Sequence, residues 1–437
     1  MSSKTTCSVQ KGSFRGWEAF YLENEFIRLV AVPAIGGRIM ALDLGDYPFF
    51  YVDRDLAGKL YSAKENQGDC SLAALKNYGG YKTWPAPQGW DNDQQWHGPP
   101  DPVLDTGQYT VDLYASDASR AVIRMVSPPD QRTGVQITRQ FVLTKGSSRV
   151  QVNLSFTNVK DEPIRWSIWD VVQLRAELQK PDGTFTHDPN CIVTTPLKEN
   201  GRFPQGYNVM FGDENNPQWQ IDTEKGLFKA PYLWQIGKVG LDSQAGWIAF
   251  HNGTEDVAFT EQFKVKPNAE YPDDGATVEC WTVGAGQVAN LDFTGSDIYL
   301  METEVLGPIQ EIAPGQSTSF AMEWGVAHCA GPVVDVQAGG CSAVRLKTAV
   351  TDQSVHLTGQ FGIFDTGELI CNWKNAAGEV IAKETIGEVN PLTPVNLNEI
   401  CEIPAGAAAV ELAVVADADG VERGLETAVL PAKSAEA

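Results

Sequence analysis

The sequence predicts an all-β protein in which a large antiparallel sandwich is followed by a smaller one. Apolar and polar residues alternate with a period of two, as in residues 136–143 and 149–156, and this alternation is typical of half-buried strands. Gly, Pro, Asn and Asp separate such runs, as in Lys145-Gly146-Ser147-Ser148. Only residues 56–64 and 71–75 predict short helices. Many short strands with frequent turns indicate an antiparallel sandwich or barrel.

A boundary between two domains is predicted near Gly331-Pro332. A Pro314-Gly315 turn and one further strand precede it, and a new series of short strands follows, beginning with residues 343–350. About 100 residues with six or seven short strands are typical of an immunoglobulin-like or fibronectin-like sandwich. We therefore expect a large β super-sandwich over residues 1–330 and a small β-sandwich over residues 331–437.

The charge of the chain excludes several classes of partner. The 437 residues hold 33 Lys and Arg against 56 Asp and Glu, which gives a formal net charge of −23. Nucleic acids and anionic membranes need a concentrated basic surface, and no apolar run approaches the ~18–20 residues of a transmembrane helix. We therefore expect no nucleic-acid or membrane partner, and a partner that is small, neutral or a carbohydrate.

The N-terminus and the cysteines leave the compartment open. Residues 1–11 have no apolar core, so no signal peptide is predicted, and the protein is either intracellular or exported after loss of a leader. Eight cysteines without a CxxC pair predict neither a structural zinc site nor a dense disulfide scaffold. We expect mostly reduced, buried thiols, with Cys329/Cys341 and Cys371/Cys401 as the pairs that would form disulfides in an exported protein.

The segment between Lys76 and Asp105 carries the densest group of chemically informative side chains. Its aromatic residues stand among prolines and amides without strand alternation. Large aromatic faces in an ordered loop suit sugar rings, because C–H-rich pyranose faces stack on them while nearby polar groups bind hydroxyls. The alternative is a Pro-rich loop whose aromatic residues only close the core. The residues predicted here to bind a sugar are Lys76, Lys82, Trp84, Gln88, Trp90 and Trp96.

Asp91-Asn92-Asp93 in the same segment offers side-chain oxygens that would suit calcium. Such a triplet is more commonly a solvated turn stabilised by Asx hydrogen bonds. We therefore expect no cofactor, with calcium as the alternative.

Two glutamates near the end of the large domain form a candidate acid/base pair. Glu302 and Glu304 are two positions apart in the predicted strand 299–306, so both carboxyl groups face the same side. Neighbouring carboxylates push their pKa values apart, which is useful in acid/base catalysis. The alternative is a solvated polar face without a catalytic role.

Two segments of the large domain match the order of motifs in a known superfamily. Residues 20–39, with their Gly36-Gly37 pair, and residues 299–315, with a Glu-x-Glu strand and a Pro-Gly turn, resemble the opening and closing motifs of the galactose mutarotase (aldose 1-epimerase) superfamily. The resemblance covers residues 15–328 and implies a galactose mutarotase-like super-sandwich. Residues 84–88 are similar to an uncharacterised bacterial branch known only as a domain of unknown function.

The resemblance implies which residues would act on a sugar. In that superfamily the glutamate of the closing strand removes the anomeric hydroxyl proton, and a histidine protonates the ring oxygen. The glutamate corresponds to Glu302, whereas Tyr78, before Gly79-Gly80, replaces one family histidine and Trp169 matches the position of the other. The mutarotase assignment therefore lacks its general acid, which should have a pKa near the working pH.

The replaced positions still suit a sugar. Trp169 and Gln173 would share one face of their strand, giving a stacking plane beside an amide; the alternative is a core tryptophan and an edge glutamine. Tyr78 would act as acid or base if Lys76 or Lys82 lowers its pKa, an arrangement similar to that of polysaccharide lyases. Its alternative role is packing.

His251 and Glu261 are also assigned to substrate binding, because they lie in a β region that faces the site in similar folds. The alternative for His251, beside an Asn-Gly turn, is a structural role. Taken together, the sequence predicts a carbohydrate-active enzyme with acid/base chemistry centred on Glu302, acting on a neutral or anionic glycan. The alternatives are a lyase that uses Tyr78 on a uronate-containing glycan, a non-catalytic sugar-binding protein, and a scaffold protein.

Overall fold

The computed structural model describes residues 6–68, 74–288 and 291–431, and the chain up to His328 folds around two large antiparallel sheets. The twelve-stranded sheet contains, in spatial order, Ser8–Phe14, Trp17–Glu23, Ile27–Val32, Arg38–Leu44, Tyr81–Ala86, Ile164–Arg175, Leu300–Leu306, Val278–Thr282, Gly237–Leu241 and Asn208–Gly212, with Tyr47–Pro48 and Gln310–Ile312 paired beside this path. The ten-stranded sheet contains Gln220–Asp222, Leu227–Pro231, Cys191–Pro196, Trp247–Asn252, Val257–Phe263, Ser317–His328, Arg149–Asn158, Val135–Thr144, Arg120–Val126 and Thr110–Ser116. Two short hairpins are Glu177–Gln179 with Phe185–His187 and Gln287–Val288 with Leu291–Asp292.

The main core lies between these two sheets. Every second residue of Val135–Thr144 and of Arg149–Asn158 is buried, as expected for strands with one covered face. Strand Ile164–Arg175 is buried along nearly its whole length, which indicates that both of its faces are covered. In the middle of the core, the rings of Tyr81 and Trp324 meet edge to face with centroids 4.7 Å apart.

Almost all regular structure in the described residues is strand. Residues 56–64, for which the pattern predicts a helix, form turns instead, and the helix predicted over residues 71–75 lies largely outside the described residues. Within the described ranges the one helical element is a 3-10 turn, Asp273–Gly275. The all-β prediction is therefore confirmed. In the part of the chain that the structure describes, no helix is long and apolar enough to cross a membrane.

A smaller sandwich follows the large one. Its two four-stranded sheets contain Asp335–Gln337, Gly340–Thr351, Ser354–Ile363 and Val395–Glu402, and Val380–Val389, Gly367–Lys374, Ala409–Ala416 and Glu422–Val429. Apolar residues of both sheets, with Trp373 buried among them, form its own core. The predicted boundary between residues 330 and 331 falls between the strand that ends at His328 and the strand that begins at Asp335.

The two sandwiches share a buried apolar contact. Phe364 and Cys341 of the small sandwich belong to one cluster with Trp247 of the large sandwich. Beside this cluster, Arg149 Nη2 lies 3.0 Å from Asp365 Oδ1. Each sandwich therefore covers apolar surface of the other.

The described cysteines are buried free thiols, and Cys70 lies outside the described residues. Burial, together with the neighbouring Cys401, raises the pKa of the Cys371 thiol to about 12. Burial also raises the pKa of Cys401 to about 11. Because the thiolate is the reactive form, the raised pKa values make Cys371 and Cys401 weakly reactive in the folded protein.

Candidate functional site

A cleft lies on the outer face of the twelve-stranded sheet. Tyr81 points into the core. Because side chains alternate along a strand, Lys82 and Trp84 both point to the opposite, outer face of the sheet. The adjacent strands bring other polar and aromatic side chains to this face, and loop residues such as Gln88, Trp90, Asp105 and Phe293 complete the wall. The polar and aromatic side chains that line the cleft are Arg38, Asn77, Lys82, Trp84, Gln88, Trp90, Asp105, Trp169, Gln173, Phe211, Lys238, Trp281, Phe293 and Glu302.

Glu302 is held in the cleft by two donors. Its Oε1 accepts a hydrogen bond from Gln173 Nε2 at 2.5 Å and one from Lys82 Nζ at 3.2 Å. Gln173 is directly opposite Glu302 on the adjacent strand. Both donors use the same oxygen, so the second carboxylate oxygen is available to a ligand. Burial lowers the pKa of Lys82, although the charge of Glu302 opposes this shift.

A second charged cluster lies beside the first, deeper in the wall. Lys238 Nζ lies 2.6 Å from Glu279 Oε2 and 2.9 Å from Glu304 Oε2, and Trp169 Nε1 donates to the same Glu304 oxygen at 2.8 Å. Burial raises the pKa of both glutamates. Burial alone would lower the pKa of Lys238, but the two carboxylates raise it. This lysine therefore stays charged and neutralises the acidic wall.

A third ion pair supports the aromatic wall. Asp105 Oδ1 accepts from Arg38 Nη2 at 2.5 Å and from Trp84 Nε1 at 3.0 Å. Burial raises the pKa of Asp105, while the charges of Arg38 and Lys82 act in the opposite direction. Arg38 directly follows the Gly36-Gly37 turn, whose carbonyls accept hydrogen bonds from a buried arginine of the opposite sheet. The glycine pair thus positions a cleft residue.

Each of the two cleft lysines rests on a tryptophan. Lys82 Nζ lies 4.4 Å from the ring centroid of Trp84, and Lys238 Nζ lies 4.4 Å from that of Trp169. The two indole rings are themselves 5.3 Å apart in an edge-to-face arrangement. Cation–π contacts of this kind hold the two lysines against the two rings.

The cleft continues into a second polar recess. This recess shares Gln88, Trp90 and Trp169 with the cleft and reaches Asp273 and Asp274. Trp90 is 51% exposed, which is unusual for a tryptophan. Its indole forms part of the lining of both spaces. The site is therefore an elongated groove rather than a closed pocket.

Several predicted residues come together in this groove. Lys82, Trp84, Gln88, Trp90, Trp169, Gln173 and Glu302 all line it. Glu304 is fully buried and does not line the groove; its Oε2 accepts hydrogen bonds from Trp169 and Lys238, which do. Trp96 is also fully buried; its ring packs 4.8 Å from that of Trp84, and its Nε1 donates to Asp101.

Tyr78 and Lys76 do not line the groove, which corrects the expected arrangement. Tyr78 packs in a separate apolar cluster, with its ring centroid 5.8 Å from that of Trp17, and burial raises its pKa. Lys76 Nζ lies over the ring of Tyr61 at 4.8 Å. Neither Lys76 nor Lys82, the two cations expected to lower the pKa of Tyr78, contributes to its shift, and burial raises this pKa. The sequence could not show that Asn77, rather than its neighbours Lys76 and Tyr78, lines the groove.

His251 and Glu261 are likewise not in the groove, contrary to expectation. Both lie on the ten-stranded sheet. His251 Nε2 lies 3.0 Å from the carbonyl oxygen of Cys329, at the contact with the small sandwich. Glu261 is fully buried between the sheets, where burial and the carboxyl group of Asp170 raise its pKa. Both belong to the sheet that packs behind the cleft, which explains why they cannot face it.

Sequence reasoning missed four of the seven charged residues in the three ion-paired clusters of the site: Arg38, Asp105, Lys238 and Glu279. Lys238 and Glu279 lie on short strands, Gly237–Leu241 and Val278–Thr282, that resemble no catalytic motif. A lysine and a glutamate within otherwise apolar strands were the available signal, because charged residues are rarely buried unless they are paired. Arg38, next to the glycine pair, was a similar signal.

Asp91-Asn92-Asp93 forms a turn at the edge of the groove. Asn92 Oδ1 accepts the hydrogen bond of the Gln94 amide, as in an Asx turn. Among the described residues, no group of three His, Cys, Asp or Glu side chains is arranged to hold a metal ion.

The two large sheets, with the groove on the outer face of the twelve-stranded one, have the fold of the galactose mutarotase-like proteins. A "putative aldose 1-epimerase" from Klebsiella pneumoniae is 12% identical over 74% of this chain and 84% of its own, with a TM-score of 0.50. A galactose mutarotase-like protein from Clostridium acetobutylicum is 11% identical over 74% of this chain and 99% of its own, with a TM-score of 0.44. The predicted fold and resemblance are confirmed.

Within this class, the chain belongs to the family described as Domain of unknown function (DUF4380), which matches residues 18–327. The match spans most of the large sandwich, including every strand that contributes to the groove. No curated protein matches the chain.

Proposed function

We propose that the groove binds a carbohydrate and that Glu302 acts there as a general base. The observation that carries this proposal is a carboxylate with one oxygen held by Gln173 and Lys82, placed between tryptophan rings in an open groove. Aromatic faces bind the apolar faces of sugar rings, and a held carboxylate accepts hydroxyl protons. The similar Klebsiella pneumoniae protein carries the name of an enzyme that acts on aldoses, which agrees with this proposal.

We further propose that Lys82 supplies the second proton transfer. Its lowered pKa makes its ammonium group a stronger acid than an ordinary lysine. A bound aldose would give its anomeric hydroxyl proton to Glu302 while the bond between C1 and the ring oxygen breaks. The ring oxygen would take the proton of Lys82. Reversal of both transfers after rotation of the aldehyde closes the ring with the opposite anomeric configuration, so no other reactant is needed.

The charges of the groove favour a neutral sugar over an anionic one. Arg38 is paired with Asp105, Lys82 with Glu302, and Lys238 with two glutamates. Each cation therefore has its own carboxylate, and a uronate would have to compete with it. The extension towards Asp273 and Asp274 gives room for more than one sugar unit along the groove.

The proposal is tested with nuclear magnetic resonance on a panel of mono- and oligosaccharides. Saturation transfer identifies the sugars that bind, and exchange spectroscopy measures how fast the protein interconverts their anomers. We expect Glu302→Gln to abolish the exchange while binding persists. Glu311→Gln, at an exposed position outside the groove, should exchange anomers as the wild type does. Exchange that persists in Glu302→Gln would refute the role of Glu302.

A second candidate function is a sugar-binding module without catalysis. It is favoured because neither position matched to a histidine of the galactose mutarotase superfamily holds a histidine: one is Tyr78 and the other is Trp169. Tyr78 also packs outside the groove. This candidate predicts saturation transfer to a sugar with no anomeric exchange and no other product. The lyase alternative depends on Tyr78 reaching the substrate, and its packing away from the groove gives that alternative no support.

A further inference from the structure

A second cavity lies outside the groove, and its charge is opposite to that of the chain. Its volume is about 200 Å³, and three arginines, Arg15, Arg54 and Arg175, line it together with a single carboxylate, Glu177. The whole chain carries a formal net charge of −23. Three guanidinium groups facing one carboxylate are therefore a local concentration of positive charge that the composition does not explain.

Two of these arginines are held in place by the fold. Arg54 forms an ion pair with Glu177, and its guanidinium carbon lies 3.5 Å from the ring centroid of Phe185. The guanidinium of Arg175 lies 5.4 Å from the ring centroid of Tyr47. Among the described residues, no hydrogen-bond partner reaches the buried Nε of Arg175. A buried donor without a partner is costly unless something satisfies it.

The third arginine is presented by a hairpin. Arg15 lies at the turn between Ser8–Phe14 and Trp17–Glu23, with a positive φ of 48°. The following glycine packs so closely against Gly58 that a Cβ there would lie 3.0 Å from its Cα. Burial and the charge of Arg54 lower the pKa of Arg15. The hairpin tip is therefore fixed against the loop that carries Arg54, with its charge turned to the same cavity.

The neighbouring carboxylates balance only part of this charge. Asp43 is paired with Arg28, and its charge also acts on Arg15 and Arg175. Asp53 accepts the backbone amides of residues 55 and 56 at 2.9 Å each, so it serves as the cap of a turn. Glu177 is engaged by Arg54. Arg15 and Arg175 are left as two positive charges facing one space.

The cavity is separate from the groove. No residue lines both among the described residues that form the two walls. Phe50 and Val52 line the arginine cavity, whereas Tyr51 between them packs in a cluster with Val283 and Phe293, two residues of the groove wall. One extended segment therefore divides the two spaces.

We propose that this cavity is an oxyanion site that binds a phosphate or sulfate group, either free or carried by a small molecule. Guanidinium groups present several N–H donors in a plane that matches the oxygens of such groups, and they stay charged at any physiological pH. A bound oxyanion would accept hydrogen bonds from the guanidinium groups that line the cavity and would balance the charges of Arg15 and Arg175. The site is independent of the function proposed for the groove.

The test is isothermal titration calorimetry of the full chain with sodium phosphate and with sodium sulfate, with ionic strength held constant by chloride. We expect saturable binding to one site. Arg15→Gln changes a side chain at the hairpin turn and should weaken binding about tenfold, because one charge-assisted contact is lost. Arg175→Gln, with its fold checked by circular dichroism, should weaken binding at least as much. Glucose 6-phosphate as a third titrant shows whether a carried group binds more tightly than the free ion.

Two matched variants make the result specific to this cavity. Arg120→Gln removes an arginine with a side chain 66% exposed at another hairpin, and Lys82→Gln removes a cation of the groove; both should bind phosphate and sulfate as the wild type does. The proposal fails if the wild type shows no saturable binding, or if Arg15→Gln and Arg175→Gln bind as the wild type does. It also fails if Lys82→Gln is the variant that loses binding.

Discussion

The Nζ of Lys82 lies 3.2 Å from Oε1 of Glu302, although 220 positions of sequence separate the two residues. Their strands are not neighbours: Ile164–Arg175 runs between them and contributes Gln173, which donates to the same oxygen. Three distant segments thus meet in one hydrogen-bonded unit. The order of strands in the sheet creates this unit, and no local motif encodes it.

The first prediction concerns the proton-transfer role proposed for Lys82. Lys82→Gln keeps a hydrogen-bond donor beside Glu302 but removes the titratable proton, so anomeric exchange should fall by a factor of about 10²–10⁴. Lys82→Arg should not restore it, because the guanidinium does not give up its proton in this pH range. Exchange spectroscopy gives the rates, and calorimetry should show a much smaller change in sugar affinity.

The control for this experiment is Lys225→Gln, at an exposed position, which should leave the exchange rate unchanged. In the wild type, the alkaline limb of the pH–rate profile should follow the loss of the Lys82 proton, and this limb should be absent in Lys82→Gln. Equal rates in Lys82→Gln and the wild type would remove Lys82 from the mechanism and leave it as a partner of Glu302 only.

The second prediction separates a binding tryptophan from a structural one. Trp90 is 51% exposed at the edge of the groove, so Trp90→Ala should weaken sugar binding about tenfold and change the free energy of unfolding by less than ~0.5 kcal/mol. Trp96 is fully buried against Trp84, and Trp96→Ala should cost ~3–5 kcal/mol of stability. Calorimetry and denaturant unfolding provide both numbers; unchanged affinity in Trp90→Ala would contradict the stacking role.

The sequence was sufficient to predict the class of fold and the shared strand face of two groove residues, Trp169 and Gln173. Alternation along residues 136–143 and 149–156 predicted two neighbouring strands of the ten-stranded sheet. The two-residue spacing of Trp169, Val171 and Gln173 correctly predicted that Trp169 and Gln173 share a face. These inferences depend only on the period of a strand, which is a local property.

The remaining errors concern which face and which sheet a residue belongs to. His251 and Glu261 lie on well-formed strands, but those strands belong to the sheet behind the groove. Tyr78 lies before Gly79-Gly80 and the strand that begins at Tyr81, and it packs in a separate apolar cluster. Pairing between strands far apart in the chain decides such questions, and that pairing depends on the whole sandwich rather than on neighbouring residues.

The third prediction concerns two carboxyl groups buried between the sheets. Asp170 and Glu261 are both fully buried; burial raises the pKa of Asp170, and burial with the charge of Asp170 raises that of Glu261. The native state therefore keeps protons that the unfolded chain releases above about pH 4. It follows that the free energy of unfolding decreases as pH rises from there through the raised native pKa values.

Glu261→Gln tests this dependence, because the amide has the shape of the protonated acid and does not ionise. Urea unfolding at pH 5, 6, 7 and 8 should show a smaller loss of stability with pH in Glu261→Gln than in the wild type. The exposed control Glu311→Gln should follow the wild type at every pH. Parallel curves for Glu261→Gln and the wild type would show that the buried pair does not titrate in this range.

The last prediction concerns the glycine turn that positions Arg38. Gly36 has a φ of +78°, and a Cβ on it would lie 1.9 Å from the carbonyl oxygen of Asp105, whereas Gly183 has a φ of +85° with no atom of the described residues within 4 Å of its Cβ position. Gly183→Ala should therefore cost only the ~1–2 kcal/mol of a left-handed backbone. Gly36→Ala adds a backbone collision and should cost ~3 kcal/mol or more.

The same collision also connects stability to the groove. Asp105 accepts hydrogen bonds from Arg38 and from Trp84, so a displaced Asp105 would loosen an ion pair and an aromatic wall together. Denaturant unfolding compares the two variants, and calorimetry at a temperature where both are folded compares their sugar affinity. We expect Gly183→Ala to bind as the wild type does and Gly36→Ala to bind more weakly. Similar unfolding free energies for the two variants would mean that the loop around Asp105 moves aside without cost. In that case the glycine turn would not fix the position of the groove wall.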